Sequence, residues 1–326
     1  MATNAVQSSK RFALAMFGGL FLVATARADI LYVADSGDNQ IQKFSSAGVR
    51  SIFANNINGT TGLAFDRAGN LYSANANGDK TIQRITPGGV VSVFVNKSAV
   101  PPSPLPFQPT GLAFDSAGNL YSTDNDNSLV EKFTPGGMGS VFVRTGLATP
   151  RGIAFDRSGN MYVANTTGNT IEKITPGGVT SVFASAGLKN PTGIAFDGQG
   201  NLYVANFADN DIVEFTPGGV GSVFASSGLR GPVGLAFDSA GNLYAANFNG
   251  ENIEKFTPGG IGSVFADGLR PQFLAFTDDA GVPLQLAPPV GVPLPSGLAA
   301  GSISVTVGLG LRSVLHRVRR RLIRPT

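Results

Sequence analysis

A chain of 326 residues that is 42% apolar, with 43 Gly and 20 Pro, is too apolar for simple disorder and reads as short elements punctuated by turns. It has no Cys and one His, His316, near the C-terminus, which excludes a disulfide framework, thiol chemistry and His-based triads or zinc sites from the body. The net charge of +3 belongs to the ends: residues 29–290 carry 15 basic against 21 acidic side chains, a net of −6 that repels phosphate backbones and excludes nucleic acid as the expected partner.

In chain order, Lys10 and Arg11 precede the apolar run FALAMFGGLFLVATA and then Ala26-Arg27-Ala28. This is the layout of a secretory signal peptide over residues 1–28, with a mature chain expected from Asp29. The alternative is an uncleaved anchor, which the short run disfavours.

Next comes a repeat. GLAFD-like segments start at Gly62, Gly111, Gly152, Gly193 and Gly234, in steps of 49, 41, 41 and 41. A period near 41 with four short apolar segments per unit is the pattern of a propeller blade. In the unit 152–192, GIAFD is strand A, NMYVAN strand B, NTIEKIT strand C and VTSVFAS strand D, separated by Gly- and Pro-bearing turns. In strand C, Ile171 and Ile174 are apolar and Glu172 and Lys173 polar.

The strand B pair Leu/Met-Tyr occurs six times and uses all 6 Tyr of the chain; the strand D motif S-[IV]-F-[AV] also occurs six times. The first unit lacks a strand A, and a degenerate copy, FLAFTDDAG at 273–281, follows the last strand D. The expected fold is therefore all-β, a six-bladed β-propeller of four-stranded blades over residues 29–281. Its ring closes by pairing strand 273–277 with the blade 30–54, which removes open edges. The Phe of the AFD and SVF positions are expected to pack between blades.

A Pro-rich linker, 282–296, leads to residues 297–326, an apolar stretch of modest length followed by an Arg cluster. With VPLPS ahead of the apolar stretch, this tail resembles the PEP-CTERM type of bacterial sorting signal, which implies sorting by a membrane-bound protease. The other reading is a basic amphipathic tail resting on anionic lipid. Both bring the tail to a membrane, at least transiently.

LYVADSGDNQIQKF at 31–44 fits the pattern L-Y-V-A-[DN]-x-x-x-N-x-I-x-K-[IF], and in this the chain resembles NHL-repeat propellers. It is also similar to the senescence-marker/gluconolactonase group and to the propeller lyases that inactivate streptogramins. The resemblance implies a fold shared by protein binders, RNA binders and metal-dependent enzymes, and so leaves activity open.

Six positions recur at the end of strand B: Asp35, Asn75, Asp124, Asn165, Asn206 and Asn247. In a closed ring they fall at equivalent places on one face, where their oxygens suit Ca²⁺ or another divalent cation, with Asp35 and Asp124 the carboxylate candidates. The competing reading is turn structure, because Asp and Asn bond nearby backbone N–H groups. Asymmetry offers two further candidates. The insertion VNKSAVPPSPLPFQPT, 95–110, lies on the face where the B–C loops and D–A crossings open. It walls the channel mouth or is a neutral surface addition. Arg151 stands where other units have Thr61, Thr110, Thr192 and Val233, and could hold an anionic group or pair with an acid.

The expected function is a secreted or cell-envelope binding or scaffold propeller, acting as a monomer. One face of its ring would take a protein, small-molecule or carbohydrate ligand. The alternative is a divalent-metal-dependent lactonase or lyase, in which a cation polarises a carbonyl and activates water. A purely structural surface protein is the third reading.

Overall fold

The computed structural model describes residues 28–96 and 107–284. The expected signal peptide up to Arg27, most of the insertion, most of the linker and the whole tail lie outside the described residues.

Blade I contributes β1 (Asp29–Asp35), β2 (Gln40–Phe44) and β3 (Arg50–Ala54); blade II holds β4 (Gly62–Phe65), β5 (Leu71–Asn75), β6 (Thr81–Ile85) and β7 (Val91–Val95). Blade III holds β8 (Pro109–Phe114), β9 (Leu120–Asp124), β10 (Leu129–Phe133) and β11 (Gly139–Val143); blade IV holds β12 (Pro150–Phe155), β13 (Met161–Asn165), β14 (Thr170–Ile174) and β15 (Thr180–Ala184). Blade V holds β16 (Pro191–Phe196), β17 (Leu202–Asn206), β18 (Asp211–Phe215) and β19 (Gly221–Ala225); blade VI holds β20 (Pro232–Phe237), β21 (Leu243–Asn247), β22 (Asn252–Phe256) and β23 (Gly262–Asp267). The last strand, β24 (Pro271–Asp278), completes blade I in the order β24-β1-β2-β3. The structure is the expected all-β, six-bladed propeller. Closure runs through an antiparallel ladder that sets Leu31 opposite Phe276 and Val33 opposite Leu274.

The local chemistry explains the hairpins. After each full strand A, an Asp carboxylate caps the turn into strand B: Asp156 Oδ1 accepts the N–H groups of Ser158 and Asn160, and Oδ2 accepts the Asn160 amide. The T-P-G-G turn between strands C and D is held by Thr175, whose Oγ1 accepts the N–H of Val179. Gly178 supplies the positive φ of 82° that this turn requires.

Packing between blades is aromatic. Each strand B Tyr sits edge-on between the strand D Phe of its own blade and the strand A Phe of the next, at centroid distances of 4.9–5.2 Å. All the AFD and SVF Phe are used in this way. The sixth copy, Tyr244 between Phe265 and Phe276, lies across the closure. Nearer the axis, Gly62, Gly111, Gly152, Gly193 and Gly234 face the innermost strand of the next blade. A Cβ at any of them would run into that strand's carbonyl oxygen. The blade I counterpart is Phe273, which packs into the cluster between blades I and II instead.

Candidate functional site

The six strand B termini are all buried, and each is bonded to the chain itself. Asn206 is representative: its Oδ1 accepts the Lys189 N–H at 3.2 Å, and its Nδ2 donates to the Gly187 carbonyl at 2.7 Å and to Asp211 at 2.9 Å. Asn165 and Asn247 hold the crossovers entering their own blades in the same way, through Ala148 and Gly146 and through Arg230 and Gly228. Asn75 accepts from Ser73 and donates to Thr81.

The two carboxylates differ from the amides because they cannot donate. Asp35 accepts from the N–H groups of Gly37 and Arg270, and its second oxygen faces Gln42 at 3.4 Å and Arg50 at 3.6 Å. Arg50 also donates to the Gly268 carbonyl, the bond that an Asn amide makes in blades IV to VI. Asp124 accepts from Asn127, through backbone and side chain, and from the Gln108 N–H.

A second recurring position was not singled out in the sequence. The middle residue of strand C is Gln42, Gln83, Glu131, Glu172, Val213 or Glu254, and all six are buried. In the sequence Glu172 reads simply as polar, but both faces of a blade are covered by neighbouring blades, so the side chain is enclosed. Its recurrence at the 41-residue period was the available signal. Glu172 accepts from Asn165 and Thr170, and Glu254 accepts from Asn252. Burial pushes the Glu254 carboxyl up, partly offset by the Asn252 amide. Glu131 is pushed up to about 8, first by burial and then by the charge of Asp124, with Arg144 acting in the opposite sense.

The channel mouth is asymmetric. Thr110, Arg151, Thr192, Val233 and Gln272 are the second residues of their innermost strands, and Thr61 holds the same place just before β4. Thr61 and Thr192 spend their hydroxyls on carbonyls of the next blade. Arg151 is partly buried, its Nε is enclosed without a partner, and it forms no ion pair among the described residues. Burial alone lowers its pKa, with no carboxylate acting against it. The residue after each strand B terminus lies beside the start of strand A, as the bonds from Thr166 N to Thr149 O and from Phe248 N to Gly231 O show. There blades V and VI present Phe207 and Phe248, partly exposed and packed against the apolar cluster that includes Val233 and Leu269. The mouth face thus carries an arginine on blade IV and one partly exposed phenylalanine on each of blades V and VI. Among the described residues, no three His, Asp or Glu side chains converge as a metal cage.

No protein-family model matches the chain, and no curated protein matches it. Solved structures do. A nidogen/laminin complex aligns with a TM-score of 0.66 at 20% identity, over 76% of this chain and 98% of that one. Virginiamycin B lyase from Staphylococcus aureus aligns with a TM-score of 0.55 at 21% identity, over 68% of this chain and 78% of that one. A histidine-to-alanine variant of that lyase, described as catalytically inactive, is solved with quinupristin. A gluconolactonase from Xanthomonas campestris aligns with a TM-score of 0.57 at 19% identity, over 67% of this chain and 82% of that one. Binding and enzymatic propellers thus both stand among its neighbours, and what the likeness establishes is the fold: the chain is a six-bladed β-propeller.

Proposed function

We propose that this chain is an exported binding propeller, held at the cell envelope through residues 297–326, which takes a carboxylate-bearing ligand or partner at its channel mouth. The observation that carries the reading is Arg151, a partly buried guanidinium with an enclosed, unpartnered Nε. A cation placed so is costly unless an anion completes it, and a planar carboxylate matches its donors. Phe207 and Phe248 would take the apolar part of the same ligand. The nidogen structure, a complex with laminin, is a precedent for binding by a propeller of this shape.

The lyase alternative is weakened by the residues present. The lyase variant described as inactive lacks a histidine, whereas the one histidine here is His316, beyond the propeller. A lactonase needs a cation cage that the described residues of the mouth do not supply.

The test is a binding screen of uronic-acid glycans and acidic peptides, with Arg151→Ala as control. Loss of one charge-assisted bond weakens binding roughly 10- to 100-fold, from about 1.5–3 kcal/mol. Metal-dependent turnover of lactones or of streptogramin B by the purified chain would overturn the reading.

A further inference from the structure

Blade III contains a pair of side chains unlike its counterpart in any other blade. The strand B terminus and the middle of strand C lie on the same face of adjacent strands, one diagonal step apart: Asp124 is opposite Leu129, and Glu131 is two residues on. Blade I pairs Asp35 with Gln42 at 3.4 Å, and blade IV pairs Asn165 with Glu172 at 3.4 Å. Blades II and VI use Asn75 with Gln83 and Asn247 with Glu254, and blade V uses Asn206 with Val213. Each of these pairs contains at least one amide. Blade III sets carboxylate against carboxylate.

The two acids are not equally provided for. Asp124 has its three donors from Asn127 and Gln108. Glu131 is 1% exposed, its Oε2 is enclosed, and it accepts no hydrogen bond and forms no ion pair among the described residues. A buried charge without a partner is among the most expensive features a fold can carry. Asp35 shows how this protein handles a carboxylate at the same position in blade I, by bringing Arg50 to 3.6 Å. In blade III the neighbouring cation, Arg144, is exposed and makes no ion pair with Glu131.

We propose that Asp124 and Glu131 form a binding site for a calcium-class divalent cation, held between β9 and β10. The donors are all hard oxygens, with no nitrogen or sulfur ligand, which suits Ca²⁺ and disfavours zinc and copper. Ca²⁺ accepts irregular oxygen sets, whereas Mg²⁺ demands near-octahedral ones, so Ca²⁺ should bind more tightly. The site lies next to the Arg151 strand, since Thr123, the residue before Asp124, donates its hydroxyl to the Arg151 carbonyl, but the proposal does not depend on the ligand reading. It narrows the cation candidates to one carboxylate of the strand B ring, Asp124, together with a strand C acid. Asp35 already has a guanidinium.

The test uses the full chain, stripped with EDTA, then dialysed against Ca²⁺ or Mg²⁺ and melted. One Ca²⁺ should be retained per chain, with a rise in Tm of about 5 °C or more at saturating Ca²⁺. Affinity for Mg²⁺ should be at least about tenfold lower. Glu131→Gln recreates the pair of blade I and Asp124→Asn that of blade IV, so both should fold; each should lose the retained ion and the Ca²⁺-dependent shift. No ion-specific shift in the wild type would overturn the proposal, as would a shift undiminished in both variants. Stability that ignores ions but falls as pH rises towards 8 would assign the pair a shared proton and overturn it equally.

Discussion

The closure of the ring can be tested with two chemically identical deletions. Tyr162 and Tyr244 are each 4% exposed. Tyr162 stands edge-on to Phe183 and Phe196 at 5.0 Å each; Tyr244 stands edge-on to Phe265 at 5.1 Å and to Phe276 at 4.9 Å. The difference is connectivity, since Phe276 reaches Tyr244 only because β24 has docked on β1. Truncating a buried ring of this size to Ala costs ~3–5 kcal/mol. Each lost edge-on pair supplies about 0.5–1.5 kcal/mol of that. At roughly 2–4 °C per kcal/mol for a domain of this size, Tm should fall by roughly 6–20 °C in both variants. Far-UV circular dichroism during urea and thermal unfolding reads the two side by side. If Tyr244→Ala costs less than half of what Tyr162→Ala costs, β24 is not seated in solution and the closed ring is refuted.

Three other outcomes follow from the packing. Gly193→Ala would push a Cβ into the Val233 carbonyl of the next blade and should destabilise by about 1–3 kcal/mol in chemical denaturation; a neutral result would mean the inner strands stand further apart. Asn206→Ala strands the Lys189 N–H and the Gly187 carbonyl and should cost about 2–4 kcal/mol. Loss of ligand affinity at unchanged stability would instead make that side chain a binding group. Burial, followed by the charge of Asp66, raises the Tyr72 phenol to about 12, and burial raises Tyr32, Tyr121, Tyr203 and Tyr244 as well. Because the folded values lie above the unfolded value, this contribution to stability is full below pH 10 and drains away as pH rises through 10 to 12. Absorbance titration of the phenols alongside circular dichroism checks it, and a normal midpoint at pH 10 with the fold intact would sink it.

Much of the architecture was legible because local signals repeat. The Asp-x-x-Gly-Asn hairpin, the Thr-Pro-Gly-Gly turn and the Tyr and Phe of strands A, B and D recur with a 41-residue period, and each copy fixes one piece of local geometry. Even the closing strand was readable, since FLAFT keeps the Ala and Phe that face the neighbouring blade. What escaped was enclosure. In the sequence Glu172 read only as polar, and Glu131 and Glu254 were passed over, but a propeller covers both sides of its strands, and all three are buried. The mouth was half legible: Arg151 stood out as a charge among Thr and Val. Phe207 and Phe248 did not, although they follow the recurring Asn directly. One aromatic more in a chain with 23 Phe carries little contrast.

The ladder between β1 and β24 also fixes an order of events. Val33 is paired with Leu274, 241 residues later in the chain. At roughly 5–20 residues per second of synthesis, the first strand waits about 12–50 s for its partner. During that interval five blades can assemble while blade I remains a three-stranded sheet with a bare apolar edge. That edge, LYVA, is rich in the residues that pair promiscuously. Nascent chains are therefore most vulnerable to mispairing just before they are finished, and any factor that shields residues 31–34 until release should raise the yield of folded protein without altering its final stability.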